Sequence, residues 1–554
     1  MVDRRKFIKE TALTTGVILS SPALPAMEMR EPKSSLAQAS AGPLFQHGVA
    51  SGDPLANQVI IWTRINPAKA EEILVRWNVS KSETMDGSVV SGEQRTDAMC
   101  DFTVKVDVKG LSPSTVYYYQ FSVAENKSAI GRTRTAPADT AEEPLEFAVI
   151  SCTNYSAGFY NALARIAQRT TLHAVIHLGD YIYEGTTRNF DEQSNVPDDD
   201  YESTHFVKHQ AYWQHFFRRR YSINRLDPDL QAAHRQHPFI TIWDDHETAD
   251  NAYRDGARGH NPEADGEWED RKSAARQAYF EWMPIRVDGS KIYRIIRFGK
   301  LMELVLLDTR LEGRDKQIYD ATDPARFDTG RTLLGKEQKN WLFNALRSSS
   351  CQWKVIANQV IFSEINVRWA ESITALGSRL QEFNNTFLDY WEGYPAERDE
   401  IIQFLTHYKI SNTIVLSASM HCAMAFDVTA RPTQYSRKGQ PASYDPVTGH
   451  GSVAVEFASP SVTSANLDEQ AGSFIAGAFE RMINRKLPMP IGYNANPHMK
   501  FADVQRHGYF MLKIDKDYAE AGYYFLNHLL QRNLKETLAG TWRAKSGSNR
   551  LQRV

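Results

Sequence analysis

Short, mostly apolar runs recur through the central part of the chain. Each run has four or five residues, and the set comprises residues 147–150, 174–178, 239–242, 304–307, 353–357 and 413–416. Such runs are typical of strands buried on both faces of a sheet. Between two of them, Trp341, Leu342, Ala345 and Leu346 lie at helical spacing after Gly335. Strands that alternate with helices predict a layered α/β core.

The N-terminal part of the chain has a different pattern. Residues 59–63 and 74–79 are rich in β-branched and aromatic side chains, and residues 102–108 alternate between apolar and polar side chains. We therefore predict a small all-β domain of immunoglobulin or fibronectin type over residues 43–136. The stretch 136–144 is rich in Ala, Pro and acidic residues and predicts a linker. A core domain over residues 144–530 and a C-terminal tail over residues 531–554 complete the prediction.

The first 39 residues stand apart from both domains. The pair Arg4 and Arg5 precedes a mildly apolar stretch, 11–26, which is too short and too rich in Thr and Ser to span a bilayer. A charged start followed by a short apolar run is typical of an export signal, and the arginine pair resembles a twin-arginine signal. We expect the twin-arginine machinery to deliver the protein to the periplasm or the cell surface. A disordered tail with a chance arginine pair is the alternative.

The overall charge changes the range of expected partners. The formal net charge is −3 at pH 7, which is unlike the basic surface of nucleic-acid-binding proteins. We predict no stable nucleic-acid partner. An anionic substrate would have to be held by a local positive site, since the protein as a whole does not attract it.

Ionisable side chains and amides follow the apolar runs at their C-terminal ends. They are Cys152, Asp180, Tyr183, Asp245, His246, Asn358 and His421. Ligands of open α/β sheets bind beyond the carboxyl ends of the strands, so these side chains are expected to converge. Thiolate, phenolate and imidazole groups suit a transition metal such as Fe³⁺, whereas carboxylate and amide oxygens suit Ca²⁺.

Most of these residues also have an ordinary structural interpretation. Asp180 could cap the segment that follows it, Tyr183 could be a core aromatic residue, and Cys152 could be an inert buried thiol. Residues 244–247 read DDHE. Four consecutive ionisable residues after a buried strand would be costly without cations or partners, so this stretch favours a functional site.

Several stretches together resemble the family of PhoD-like alkaline phosphatases and phosphodiesterases. Residues 45–54 read FQHGVASGDP, 178–184 read LGDYIYE, 243–247 read WDDHE and 307–310 read LDTR. Ser151-Cys152 and Asn358-Gln359 fit the same pattern, and the resemblance covers roughly residues 43–525. It implies an N-terminal β-sandwich, a calcineurin-like metallophosphoesterase core with flanking helices, twin-arginine export, and the cofactors Fe³⁺ and Ca²⁺.

The resemblance also implies roles for individual residues. The implied iron ligands are Cys152, Asp180, Tyr183 and His421. Asp180 would bridge to calcium, which Asp245 and Asn358 would also bind. His246 would contact the substrate phosphate or protonate the leaving group. Arg310 is a candidate clamp for phosphate, since a guanidinium group matches phosphate geometry.

One position departs from the family's pattern. The family usually carries Gly-Asp-x-His after the last strand, where this chain has Ala418, Ser419, Met420 and His421. A neutral hydroxyl group is a poorer calcium ligand than a carboxylate. The second cation would then bind weakly, differ in identity, or take an oxygen atom from elsewhere.

The implied activity is hydrolysis of small-molecule phosphate esters by a metal-activated water that attacks phosphorus. Two alternatives stay open. One is a phosphodiesterase that acts on lipid or nucleotide diesters. The other is a non-catalytic surface binding protein whose core is inactive because of Ser419.

Overall fold

The computed structural model describes residues 43–185, 208–289, 291–366, 385–430, 432, 444–484 and 496–554. The strands of the N-terminal part are β1 (Val49–Leu55), β2 (Gln58–Arg64), β3 (Ile73–Ser80), β4 (Ser88–Thr96), β5 (Thr103–Lys109), β6 (Val116–Val123), β7 (Asn126–Lys127) and β8 (Gly131–Arg134). The later strands are β9 (Leu145–Ile150), β10 (Ala174–His177), β11 (Pro238–Thr241), β12 (Ala252–Tyr253), β13 (Gly256–Ala257), β14 (Arg294–Phe298), β15 (Met302–Leu306), β16 (Trp353–Ala357), β17 (Thr413–Ser417), β18 (Ala423–Val428), β19 (Ala454–Ala458), β20 (Met499–Asp503), β21 (Gly508–Ile514), β22 (Tyr518–Leu526), β23 (Glu536–Lys545) and β24 (Leu551–Arg553).

Helices occupy the long connections between strands. The α-helices of the described residues are α1 (Asn161–Ala167), α2 (Gln210–Asn224), α3 (Pro228–Gln236), α4 (Pro262–Asp265), α5 (Trp268–Trp282), α6 (Gly335–Ser348), α7 (Pro395–His407), α8 (Leu467–Ala471) and α9 (Ser473–Asn484). Short 3₁₀ turns lie at Pro43–Phe45, Ala98–Cys100, Pro324–Phe327, Phe387–Asp389 and Trp391–Gly393. The predicted helix after Gly335 is confirmed as α6, which buries Leu342 and Leu346.

Two mixed sheets form the layered core. In the first, the strand order is β24-β23-β22-β21-β9-β10-β11-β1-β2-β5, and β9, β10 and β11 are parallel. In the second, the order is β14-β15-β16-β17-β19-β18-β20, and β15, β16, β17 and β19 are parallel. Side chains from both sheets, such as Val149, Ile176, Leu304 and Leu416, share one apolar core. The predicted α/β class with a layered core is confirmed.

The N-terminal strands form two sheets that share an apolar core of their own, but one of these sheets continues into the first core sheet. Strands β3, β4, β6, β7 and β8 form a small sheet of their own, whereas β1, β2 and β5 extend the first core sheet. Strand β1 joins β11 in parallel, with Ser51 opposite Pro238. This approach requires Gly52, because a Cβ atom there would lie 2.5 Å from the carbonyl oxygen of Phe239. The N-terminal part is therefore all-β, as expected, but it shares a sheet with the rest of the chain.

The prediction of a C-terminal tail over residues 531–554 is wrong. Strand β23 pairs with β22 over its whole length, and β24 pairs with β23. Trp542 and Ala544 point into the apolar core and are buried, and the ring centroid of Trp542 lies 4.0 Å from that of Phe501. The alternating pattern of a half-exposed strand hides this role, because it contains no apolar run.

We expect Trp542→Ala to destabilise the protein by about 3–5 kcal/mol, the usual cost of removing a large buried aromatic side chain. Leu538→Ala in the same strand is the matched control, because Leu538 is 48% exposed. Urea unfolding monitored by circular dichroism measures both. If the segment were a tail, both variants would unfold at the urea concentration of the wild type.

The predicted export signal, residues 1–39, lies outside the described residues and stays a prediction. In the described ranges, no helix is both long enough and apolar enough to cross a membrane.

Candidate metal centre

The candidate site lies between the carboxyl ends of the two sheets. In the first sheet, β9, β10 and β11 lead to Cys152, Asp180 and Asp245. In the second, β16 and β17 lead to Asn358 and His421. The side chain of Gln359 links the two sets of loops, because its Nε2 donates to the carbonyl oxygens of Trp243, at 2.9 Å, and Leu307, at 2.7 Å.

Four non-glycine residues at this edge have a left-handed backbone. The φ angles are 58° at Cys152, 56° at Asp180, 64° at Ser419 and 65° at His421. Such conformations are costly and concentrate at functional sites, where the surroundings hold them. Here Cys152 N donates to Gly179 O at 3.0 Å, and a Cβ atom on Gly179 would lie 2.5 Å from Cβ of Asp244. The loops are packed too closely for these residues to adopt less strained backbone angles.

The first ligand group combines a thiol, a carboxylate and an imidazole. Ligand atoms of Cys152, Asp180 and His421 all lie within 4.8 Å of one another. The phenol oxygen of Tyr183 lies 2.9 Å from Asp180 Oδ2 and 3.4 Å from His421 Nε2. His421 Nδ1 lies 2.8 Å from the carbonyl oxygen of Ala465, which turns Nε2 towards the group. The structure thus brings together the four residues predicted as iron ligands.

The second ligand group shares Asp180 with the first. Ligand atoms of Asp180, Asp245 and His246 lie within 4.8 Å of one another. Asp245 Oδ2 also accepts a hydrogen bond from the backbone N–H of Asn251 at 2.6 Å, which fixes the carboxylate. A shared carboxylate between two adjacent groups is the arrangement needed to bridge two cations.

Asn358 and Ser419 follow strands β16 and β17 of the second sheet, at the same edge as the two groups. Asn358 is buried, its Oδ1 accepts a hydrogen bond from Trp391 Nε1 at 3.1 Å, and its Nδ2 donates to the carbonyl oxygen of Val360. An amide oxygen has a second lone pair, so a ligand role for Asn358 stays a prediction. Ser419 Oγ lies 3.4 Å from Arg310 Nη2.

Arg310 does not have the environment expected of a phosphate clamp. Its side chain is fully buried, Nε donates to Asp244 Oδ1 at 2.6 Å, and Nη1 donates to Asp389 Oδ2 at 2.9 Å. Nη2 lies 3.3 Å from Asp245 Oδ1. All three nitrogen atoms of the guanidinium group thus lie against carboxylates. Arg310 therefore positions Asp245 and neutralises Asp244 and Asp389 instead of facing substrate.

Burial and crowding of acidic groups control the electrostatics of the site. Burial raises the pKa of Asp180 to about 8, and the carboxylates of Asp245 and Glu247 add to the rise. Burial and the carboxylate of Asp180 raise the pKa of Cys152 well above its usual value. Burial alone would raise the pKa of Asp245, but Arg310 and His246 lower it below its usual value.

Glu184 orients His246. Its Oε2 lies 2.6 Å from His246 Nδ1, and its Oε1 accepts a hydrogen bond from Asp250 N at 2.7 Å. Burial lowers the pKa of His246, but the carboxylates of Glu184, Asp245 and Asp180 outweigh that effect and raise it well above its usual value. The side chain of His246 is 23% exposed, and Glu184 occupies its Nδ1 and not its Nε2.

Glu184 and three further residues that hold the site are not among the site residues predicted from the sequence. Glu247 accepts the backbone N–H groups of Asp180 and Tyr181, at 3.1 and 2.6 Å. Ser464 Oγ lies 2.6 Å from the phenol oxygen of Tyr183. Asp389 binds both Arg310 and Arg314. Glu184 and Glu247 lie within the stretches 178–184 and 243–247, which resemble the family's sequences. Their place in these stretches is the signal that could have identified them.

The two groups fit two different cations. Thiolate, phenolate and imidazole donors around Asp180 suit a transition metal, and the carboxylate donors of the second group suit a hard cation. Arg310 and His246 already place positive charge beside Asp245, whereas Asp180 is a buried carboxylate whose ionised form a cation would stabilise. The donor chemistry is therefore that of a two-cation centre.

Comparisons with known proteins identify the family. A model of the PhoD-like phosphatases matches residues 147–523, and a model of their N-terminal domain matches residues 30–137. Alkaline phosphatase D of Bacillus subtilis (strain 168) is 34% identical over 442 residues, which are 76% of this chain and 72% of that protein.

Two solved structures have folds similar to that of this chain. A structure of PhoD matches with a TM-score of 0.74 at 28% identity, over 93% of this chain and 92% of that one. A purple acid phosphatase from yellow lupin (Lupinus luteus) seeds matches with a TM-score of 0.50 at 12% identity, over 90% of this chain and 73% of that one, which shows a common fold. The residues from Cys152 to His421 lie within the matched range 147–523, and this chain belongs to the family of PhoD-like phosphatases.

Proposed function

We propose that this protein is an exported enzyme that hydrolyses phosphate esters at a centre of Fe³⁺ and Ca²⁺. Membership of the PhoD-like phosphatases makes it a phosphoric ester hydrolase that acts on small-molecule phosphate esters. The observation that carries the two-cation proposal is the position of Asp180, which both ligand groups share. Export by the twin-arginine machinery is supported by Arg4, Arg5 and the short apolar stretch that follows them.

The two groups divide the ligands between the cations. Fe³⁺ would be held by Cys152, Asp180, Tyr183 and His421. Ca²⁺ is held by Asp180 and Asp245, with Asn358 beside them. When bound, such cations would supply Lewis-acid chemistry that neutralises the phosphate and activates water as the nucleophile.

The protein's own residues supply orientation and a proton. Arg310 holds Asp245 in place through its Nη2. Glu184 fixes His246 through Nδ1, which leaves Nε2 available to the substrate. His246 then donates a hydrogen bond to the substrate phosphate or a proton to the leaving oxygen. A positioned acid of this type contributes typically about 10²–10⁴-fold to a rate.

Removal of the cations tests the proposed function. We expect protein treated with a strong chelator to lose hydrolysis of a phosphate monoester and of a phosphate diester, and to regain it only when iron and calcium are both restored. The variant Ser419→Asp should tighten calcium binding, measured by titration calorimetry, because a carboxylate is the better ligand. Full turnover by protein shown to be free of both metals would contradict the proposal.

Glu184→Gln tests the role of His246. We expect kcat to fall by about 10–10²-fold with little change in KM, because the side chain keeps its shape but no longer stabilises the charged imidazole. The loss should be larger for alkyl esters than for aryl esters if His246 protonates the leaving group, and equal for both if it only binds phosphate. An unchanged kcat for every ester would show that Glu184 has no part in the reaction.

A further inference from the structure

Arg225, at the C-terminal end of helix α2, is an unusual buried cation. Its side chain is fully buried, and no carboxylate among the described residues forms an ion pair with it. Its Nη2 donates to the carbonyl oxygen of Trp282 at 3.2 Å. Its Nε and Nη1 have no hydrogen-bond partner in the described part of the chain.

Aromatic side chains surround the guanidinium group. Its central carbon lies 4.5 Å from the ring centroid of Trp62 and 5.8 Å from that of Tyr181. It is close enough to act electrostatically on the phenol groups of Tyr119 and Tyr221. Both of these hydroxyl groups are buried; that of Tyr119 lies beside the hydroxyl group of Ser51, whereas that of Tyr221 has no hydrogen-bond partner among the described residues. Nε and Nη1 of Arg225 and the hydroxyl group of Tyr221 are therefore donors without an acceptor among the described residues.

The positive charge of Arg225 is not balanced by a negative charge among the described residues, which is unfavourable in a protein interior. A guanidinium group stays protonated in proteins, and its transfer from water into a protein interior costs more than cation–π contacts return. Burial accordingly lowers the pKa of Arg225. Water could accept hydrogen bonds from Nε and Nη1, but it brings no negative charge. A small anion would satisfy both the donors and the charge.

We infer that a chloride ion binds beside Arg225. Nε and Nη1 of Arg225 are its principal donors, and the hydroxyl group of Tyr221 completes the site. Chloride is preferred to a larger anion because the side chains that surround it are closely packed aromatic rings. This site is separate from the candidate metal centre and does not depend on the proposed function.

The position of the site gives the anion a structural role. Trp62 and Tyr119 belong to the N-terminal strands β2 and β6, whereas Arg225 and Tyr221 belong to the core part of the chain. Tyr181 directly follows the shared ligand Asp180. The anion would therefore fasten the N-terminal strands to the loop that carries the metal ligands.

Diffraction at long wavelength tests the inference on the wild-type protein. Data collected on each side of the chlorine absorption edge distinguish chloride from water, and the sulfur atoms of Cys152 and Cys422 serve as internal references. We expect an anomalous peak beside Arg225 only at the energy above the edge. Density beside Arg225 with no anomalous peak at either energy would identify water and overturn the inference.

Thermal unfolding provides a second test in solution. At matched ionic strength, we expect the wild-type Tm to be a few degrees higher in chloride than in isethionate, because a ligand that binds the folded state stabilises it. Arg225→Met should abolish this difference. Arg218→Met, in the same helix, should keep it, because Arg218 is paired with Glu281. A chloride effect that persists in Arg225→Met would contradict the site.

Discussion

Asp180→Asn is expected to abolish phosphate ester hydrolysis, with a fall in kcat/KM of at least about 10³-fold, the upper range for loss of a single electrostatic contribution. The reason is that Asp180 belongs to both ligand groups, so one substitution weakens both cation sites. An amide is nearly the same size as the carboxylate, so the change removes charge without leaving a cavity.

The same variant should also lose metal. We expect elemental analysis to show less iron and less calcium per chain than in the wild type, while circular dichroism shows a folded protein. Asp229→Asn is the control, because Asp229 lies on α3, pairs with Arg532 and is remote from both ligand groups. An Asp180→Asn protein with a normal metal content and a tenth or more of wild-type activity would refute a shared ligand.

Arg310→Met is expected to destabilise the fold by about 3–5 kcal/mol, because it leaves the buried carboxylate of Asp244 without its cation, whereas Asp389 keeps Arg314. Asp244 loses a hydrogen bond of 2.6 Å and Asp389 loses one of 2.9 Å, and both side chains are largely buried. The effect should appear in urea unfolding. Arg254→Met is the control, since the pair of Arg254 with Asp255 is exposed and contributes only about 0–1 kcal/mol.

The two possible roles of Arg310 predict different results. A residue that positions Asp245 should, when replaced, lower both the stability and the calcium affinity. A phosphate clamp should raise KM and leave the unfolding curve nearly unchanged. A stable Arg310→Met protein with a raised KM would therefore restore the role expected from the sequence.

The arrangement of the core could be predicted because its strands are nearly continuous apolar runs. Residues 147–150, 353–357 and 413–416 lie within β9, β16 and β17. The ends of parallel strands meet at one edge, and this rule is enough to bring Cys152 and His421 together from opposite sheets. The alternating pattern of β23 gave no comparable signal, and the pairing of β1 with β11 depends on a close approach at Gly52 that spacing does not reveal.

The residues that support the ligands were harder to predict than the ligands. Ser464 and Asp389 come from irregular segments far along the chain, and their contacts with Tyr183 and Arg310 arise only from the tertiary fold. Arg310 has the chemistry of a phosphate clamp, and its true surroundings depend on three carboxylates that the fold gathers around it. Composition and order along the chain do not contain this information.

Elemental mass spectrometry of the mature protein, purified without chelators and accompanied by its visible absorption spectrum, tests the two-cation centre most directly. We predict about one iron per chain, with a charge-transfer band from a tyrosine phenolate, as expected for a ferric ion with soft and phenolate donors. The calcium content would then show how well the second ligand group retains calcium when Ser419 stands where the family usually has an aspartate. Folded protein that contains neither iron nor calcium would contradict the centre and favour a binding protein without catalytic activity.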